Sequence, residues 1–316
     1  MKAISYSAPA KVILSGDHAV VYGKPALVSA IDLRLRFTIS NSVNSQNVDH
    51  IDKVLASISL TVREYLKREK IRFIDKSYFY KIESEIPIRR GLGSSAALSV
   101  AATAVFLEFY SDKQFNKETI NNVAYQSERY FHINPSGVDV SASCFGGLIY
   151  YRKEFEFLKN ISALNFKIPK KIEESLYLID SGKPVESTAE MVDLVGKAFN
   201  KRPEFVEEVF NDIEKTTRRL VVSIIKEDSD FFARSIVDNQ ILLEMLGVVS
   251  STAKKLLKDL EPYGVGKVTG AGGKKGGSGF IIFYTNKSKQ LEEYCKKKKI
   301  TFMKFKQSYK GVRKEA

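Results

Sequence analysis

Hydrophobic and polar positions alternate with changing period along the chain. Val12 to Leu14 and Leu27 to Ile31 are short apolar runs. Leu33, Leu35, Phe37 and Ile39 then alternate with polar residues, the period of a half-buried strand. Ile51, Val54, Leu55, Ile58, Val62, Tyr65 and Leu66 recur at helical spacing, and Tyr78, Tyr80, Ile82 and Ile86 return to a period of two. The run Ala96 to Phe109, rich in small residues and leucine-like side chains, predicts a buried helix, and a second helix is predicted over Glu118 to Phe131. Asn134 to Gly147, rich in Ser, Gly and Pro, reads as a loop. Strands are predicted near Leu148 to Tyr151 and Leu176 to Ile179, helices from Pro184 to Pro262, and strand-loop-strand over Lys267 to Tyr284. A short helix and a strand, Thr301 to Phe305, close the chain. Strands first and helices later predict an α+β protein of two domains, 1–170 and 171–316, with the C-terminal tail within reach of the first.

The length of 316 residues suits two domains, and 44% hydrophobic residues suit a packed core. No stretch approaches the roughly 20 apolar residues of a membrane span, and the N-terminus has no apolar signal core. The expectation is a soluble cytoplasmic protein without a membrane partner. Cys144 and Cys295 do not make a disulfide scaffold. His18, His50 and His132 lie far apart without cysteines at zinc spacing, so a structural metal is not expected, while a hard cation held by oxygens stays open. Fifty Lys and Arg against 37 Asp and Glu give a net charge of +13, which favours anionic partners. The densest basic run, Lys296 to Lys299, has no aromatic interleaved, so nucleic acid is not expected; a nucleotide accounts for the excess equally well.

Candidate chemistry sits in glycine-rich segments. Gly91-Leu92-Gly93-Ser94-Ser95-Ala96 follows a predicted strand and opens the apolar helix. Free amides at the positive end of a helix dipole form a phosphate site, and the two hydroxyls suit phosphate oxygens or a nucleotide-borne Mg²⁺. Ser94 or Ser95 as a plain N-cap is compatible with that role. A dinucleotide fingerprint needs an acidic residue on the next strand about 20 positions on, where Tyr110 to Asn116 reads as a helix end and loop. Gly264-Val265-Gly266-Lys267-Val268 imitates a P-loop but has Glu261 and Val268 where Gly and Ser or Thr are needed. Thr269 to Gly279 holds six glycines between two strands. A hairpin needs one or two, so close approach of this backbone to a ligand is expected. Lys11, His18 and Asp139 add the cation and carboxylate that phosphoryl transfer requires.

Five stretches carry a resemblance: Ala8 to Ala26, with His18-Ala19-Val20-Val21-Tyr22-Gly23-Lys24; Pro87 to Ala97; Glu128-Arg129 with Asn134 to Asp139 and Gly146-Gly147; Asp238-Asn239-Gln240; and Lys267 to Gly279. In this order they resemble the GHMP kinase superfamily, and within it the branch that phosphorylates mevalonate. The resemblance implies an N-terminal domain like domain 2 of ribosomal protein S5 and a ferredoxin-like C-terminal domain. It implies transfer of a phosphoryl group from ATP, with Mg²⁺, to the primary hydroxyl of mevalonate in isoprenoid synthesis. Asp139 and Lys11 are then catalytic, and Pro87, Arg90, Gly91, Leu92, Gly93, Ser94, Ser95 and Ala96 bind ATP. Ser95 and Glu128 hold the metal, and Asp17, His18, Thr269 and Gly270 lie at mevalonate; a homodimer stays open. Asp17 stands where the family usually has Glu, Leu98 replaces a Tyr, Arg89 and Arg90 replace small residues, and Lys274 and Lys275 lengthen the last motif. Those two lysines are expected to be solvated, the alternative being contact with ATP phosphates or the substrate carboxylate. The competing readings are a kinase of phosphomevalonate or another small molecule of the superfamily and, outside enzymes, an RNA-binding protein.

Overall fold

The computed structural model describes residues 3–40, 49–75, 77–128, 136–155, 158–164 and 166–316. Along the chain run β1 (Ile4–Ser15), β2 (Ala26–Ser40), α1 (Asp49–Arg68), β3 (Phe79–Ser84), α2 (Ser94–Ser111), α3 (Lys117–Glu128), α4 (Val138–Phe145), β4 (Leu148–Phe155) and β5 (Leu158–Leu164). They are followed by α5 (Lys170–Glu173), β6 (Leu176–Asp180), α6 (Thr188–Lys201), α7 (Pro203–Ile225), α8 (Ser229–Met245) and α9 (Ser251–Leu260). The chain ends with β7 (Val265–Val268), β8 (Phe280–Tyr284), α10 (Ser288–Lys298), β9 (Phe302–Lys304) and β10 (Arg313–Lys314).

The first sheet has the order β10-β1-β2-β4-β5, with β3 on the other half of β2. Leu27 to Ile31 and the alternating Leu33 to Ile39 are two halves of one strand. Pro9 pairs with Arg34 but Ala10 with Ile31, so Asp32 and Leu33 form a bulge, and the hydrophobic phase shifts there. The second sheet has the order β7-β8-β6-β9 and is antiparallel throughout. Helix α2 is long and apolar enough to cross a membrane by length and composition, yet it is buried nearly all round within the first core, where Phe106 meets Phe37. A helix without a polar face belongs in such a core.

Helix α4 and strand β5 depart from expectation. The Asn134–Gly147 stretch read as loop contains α4, whose small residues between Gly137 and Gly146 mask its helical period. Its Asn134 and Pro135, Arg129, and the predicted helix end through Phe131 lie outside the described residues. Strand β5 escapes notice because Asn160 and Ser162 interrupt its apolar residues, as suits a sheet edge. The tail does return to the first sheet. β10 pairs with β1, and Val312 N donates to Cys144 O and Gly147 N to Ser308 O. The Arg34 guanidinium, beside the β2 bulge, binds the carbonyls of Ser7, Lys310 and Gly311.

Candidate active site

The N-termini of α2 and α4 converge on Lys11 of β1, and the β7–β8 loop packs on the same strand at Ile13. The Lys11 side chain is almost completely buried, and its Nζ lies 3.1 Å from Asp139 Oδ1, whose side chain is 36% exposed. Asp139 stands in the first turn of α4, where the helix dipole favours a carboxylate. Gly93 makes this approach feasible: a Cβ there would lie 2.9 Å from Lys11 Cγ. An ammonium, a half-open carboxylate and two helix N-termini thus meet at one point.

The segment Gly91 to Ala96 delivers the second of those termini. Gly93, in the left-handed region at φ 77°, is the N-cap of α2, so neither Ser94 nor Ser95 fills that role. Their hydroxyls and the amides of the first turn remain for an anion. Lys11 N donates to Leu92 O at 3.0 Å, which ties this loop to β1. Pro87 leads into the loop from β3, and the Arg90 guanidinium pairs with the Asp180 carboxylate at the end of β6. Arg90 therefore braces the loop against the second sheet, an anchor the sequence pattern does not reveal.

Beneath Lys11 lies a buried layer. Lys267 Nζ, fully enclosed, sits 2.6 Å from Asp17 Oδ2 and 3.0 Å from Ile13 O. Burial pushes the Lys267 ammonium pKa down, and the Asp17 charge pulls it back up. Asp17 Oδ1 accepts from Gly270 N at 2.8 Å, and the Thr269 hydroxyl bridges Ile13 N and Ile13 O. Asp17 and Thr269, expected at mevalonate, are both buried, with these oxygens turned to the backbone and to Lys267. His18, at φ 59°, donates from Nε2 to Ala271 O at 3.0 Å, and burial lowers its pKa, so the imidazole is neutral with Nδ1 as acceptor. Lys267 belongs to the segment set aside as a false P-loop. Asn239 and Gln240 serve the same layer, donating to Ser15 Oγ and accepting from Val268 N.

The glycine-rich loop packs against this chain's own backbone. A Cβ at Gly270 would crowd Gly91, one at Gly272 would meet Val248 O, one at Gly277 Gly182 O, and one at Gly279 Arg90 O. Close approach is the reason for these glycines, as expected, but the observed neighbours are protein main chain. Lys274 and Lys275 expose their side chains, while both their amides bind the Glu186 carboxylate at 3.1 Å.

Ser95 and Glu128 lie on two helices that pack together, α2 and α3, with Ser99 Oγ donating to Ala124 O at 3.3 Å. One turn toward the α2 N-terminus is Ser95, and one turn toward the α3 C-terminus is Glu128. A hydroxyl and a carboxylate are hard oxygen donors that suit Mg²⁺, but two fall short of its six ligands. Among the described residues no three His, Cys, Asp or Glu cluster into a metal cage. The pair therefore fits a cation that arrives with nucleotide phosphates.

Comparison with known proteins returns consistent matches. Residues 54–147 match the family of GHMP kinases N terminal domain. The mevalonate kinase of Archaeoglobus fulgidus is 35% identical over 297 residues, covering 90% of this chain and 93% of the relative. The crystal structure of Methanococcus jannaschii mevalonate kinase superposes with a TM-score of 0.76 at 22% identity, covering 96% of this chain and 98% of that one. Streptococcus pneumoniae phosphomevalonate kinase, solved with phosphomevalonate and AMPPNP, gives 0.78 at 16% identity, covering 97% and 100%. At these identities the structural likenesses establish the fold; the sequence relatives separate the branches.

Proposed function

We infer the reaction from a plain premise: the chain belongs to the mevalonate kinase family of the GHMP kinases. It transfers the γ-phosphoryl group of ATP to the primary hydroxyl of mevalonate, giving 5-phosphomevalonate. The observation that carries the mechanism is the Lys11–Asp139 pair at the meeting of two helix N-termini.

In this reading the phosphates of ATP lie on the amides from Gly91 to Ala96, with Arg90 and Pro87 holding the loop. The mevalonate hydroxyl approaches Asp139, which orients it and accepts its proton as the oxygen bonds phosphorus and the bond to ADP breaks. Lys11, held beside that carboxylate by β1, faces the negative charge that gathers on the oxygen. Such a site works by positioning and by preset charge, which fits its rigid surroundings. Ser95 and Glu128 would hold Mg²⁺ together with the phosphates; when bound, the metal neutralises charge on the transferring group. His18 and Gly270 form the floor near mevalonate, and Asp17 and Thr269 support them from behind. Two domains, 1–170 and 171–316, with the tail returned to the first, and a cytoplasmic location complete the proposal.

The test is a phosphorylation assay of the purified chain with ATP and Mg²⁺ against mevalonate, phosphomevalonate, galactose and homoserine. Mevalonate is expected as the preferred acceptor by kcat/KM. A preference for phosphomevalonate would move the chain to the neighbouring branch, and no turnover of any acceptor would overturn the reading.

A further inference from the structure

No step proposed above involves Glu186 or the two lysines in the glycine-rich loop, yet they meet. After β6, residues 181–186 form a strap antiparallel to the loop. Ser181 N donates to Gly279 O, Gly279 N to Gly182 O, Gly277 N to Lys183 O, and Val185 N to Lys275 O. The β6–β8 ladder thus continues past Asp180 and Phe280, and a side chain ends it: the Glu186 carboxylate accepts from the amides of Lys274 and Lys275 at 3.1 Å. Two main-chain donors converging on one carboxylate make charge-assisted bonds, stronger than neutral ones. The strap's other end is anchored to the phosphate loop. Asp180 pairs with Arg90, takes Gly182 N at 2.8 Å on Oδ1, and Phe280 N donates to Arg90 O at 3.1 Å.

We propose that Glu186 is a positioning residue, a clasp that holds the Lys274–Lys275 turn on the strap and so keeps the Thr269–Gly273 arm against the phosphate loop. Its link to ATP rests on the kinase reading above. Opening the clasp frees the turn and slackens the arm; the bonds of Thr269 and Gly270 to Ile13 and Asp17 stay, but the packing of Gly270 on Gly91 loosens, which weakens ATP binding. Lys11 and Asp139, carried by β1 and α4, keep their places, so the chemical step changes little.

The test compares full-length wild type with Glu186→Ala and Glu186→Gln. Trypsin under native conditions reads the turn directly, because Lys274 and Lys275 are exposed cleavage sites whose fragments mass spectrometry identifies. Cleavage there is expected to quicken about tenfold in Glu186→Ala, the effect of losing bonds to a charged acceptor, and less in Glu186→Gln, whose amide oxygen still accepts. KM for ATP is expected to rise about threefold to tenfold with kcat within about twofold, since only positioning is lost. Unchanged cleavage after Lys274 and Lys275 would overturn the clasp. Faster cleavage with an unchanged KM for ATP, even with a lower Tm, would overturn its role in positioning the site. The cleavage arm needs no turnover, so a chain inactive on every acceptor would sink the reaction while leaving the clasp tested.

Discussion

A buried ammonium facing a buried carboxylate is stable only while both charges are present, because either one alone is left in a medium that solvates it poorly. Lys267 and Asp17 are such a pair, and they support β1 just behind Lys11. Lys267→Met is expected to cost about 3–5 kcal/mol in a urea titration, and Lys267→Met with Asp17→Leu to recover part of that loss. A single variant as stable as wild type would show that the pair does not hold the layer. Lys267 was legible only as a lysine beside glycine; its partner lies 250 positions away, and local spacing carries no trace of such a contact. His18 offers a pH test. Burial holds its folded pKa below the ordinary 6.5, so below that value the unfolded chain binds a proton that the folded chain refuses. Stability is whole above 6.5 and declines as pH falls toward the folded pKa. Between about pH 7.5 and about pH 5, Tm should fall less in His18→Asn than in wild type. Equal slopes would mean that His18 is not buried neutral.

Helix α2 was legible because its run is long and mostly apolar and two glycines precede it, whereas α4 was hidden by residues that also make turns. The glycine loop between β3 and α2 therefore emerged from sequence, but the surface it leans on did not. Gly91 has φ 83°, and a Cβ there would lie 2.7 Å from Thr269 O, a main-chain atom with little room to move. Gly147 has φ 70° with nothing within 4 Å of its Cβ site. Gly147→Ala is expected to lose only the left-handed strain of about 1–2 kcal/mol. Gly91→Ala should lose more and also bind ATP more weakly, because the loop must shift. Equal losses in the two variants, with ATP affinity unchanged, would show that the contact between the two glycine-rich segments is dispensable.

At the scale of the whole molecule, several motifs in one order made the family legible, since each supplies a different part of one reaction. Long-range closure was less so. The return of β10 to β1 and the extension of the β6–β8 ladder to Glu186 join residues far apart in the chain, and neither leaves a periodic signature. The account stands or falls on what happens where Lys11 meets Asp139. The most direct measurement is the single-turnover rate of phosphoryl transfer from ATP to mevalonate in Asp139→Asn, at saturating substrates and beside wild type. The account predicts a fall of about 10²- to 10⁴-fold, the usual contribution of a group that orients and accepts a proton. A rate within about threefold of wild type, below any such contribution, would contradict it.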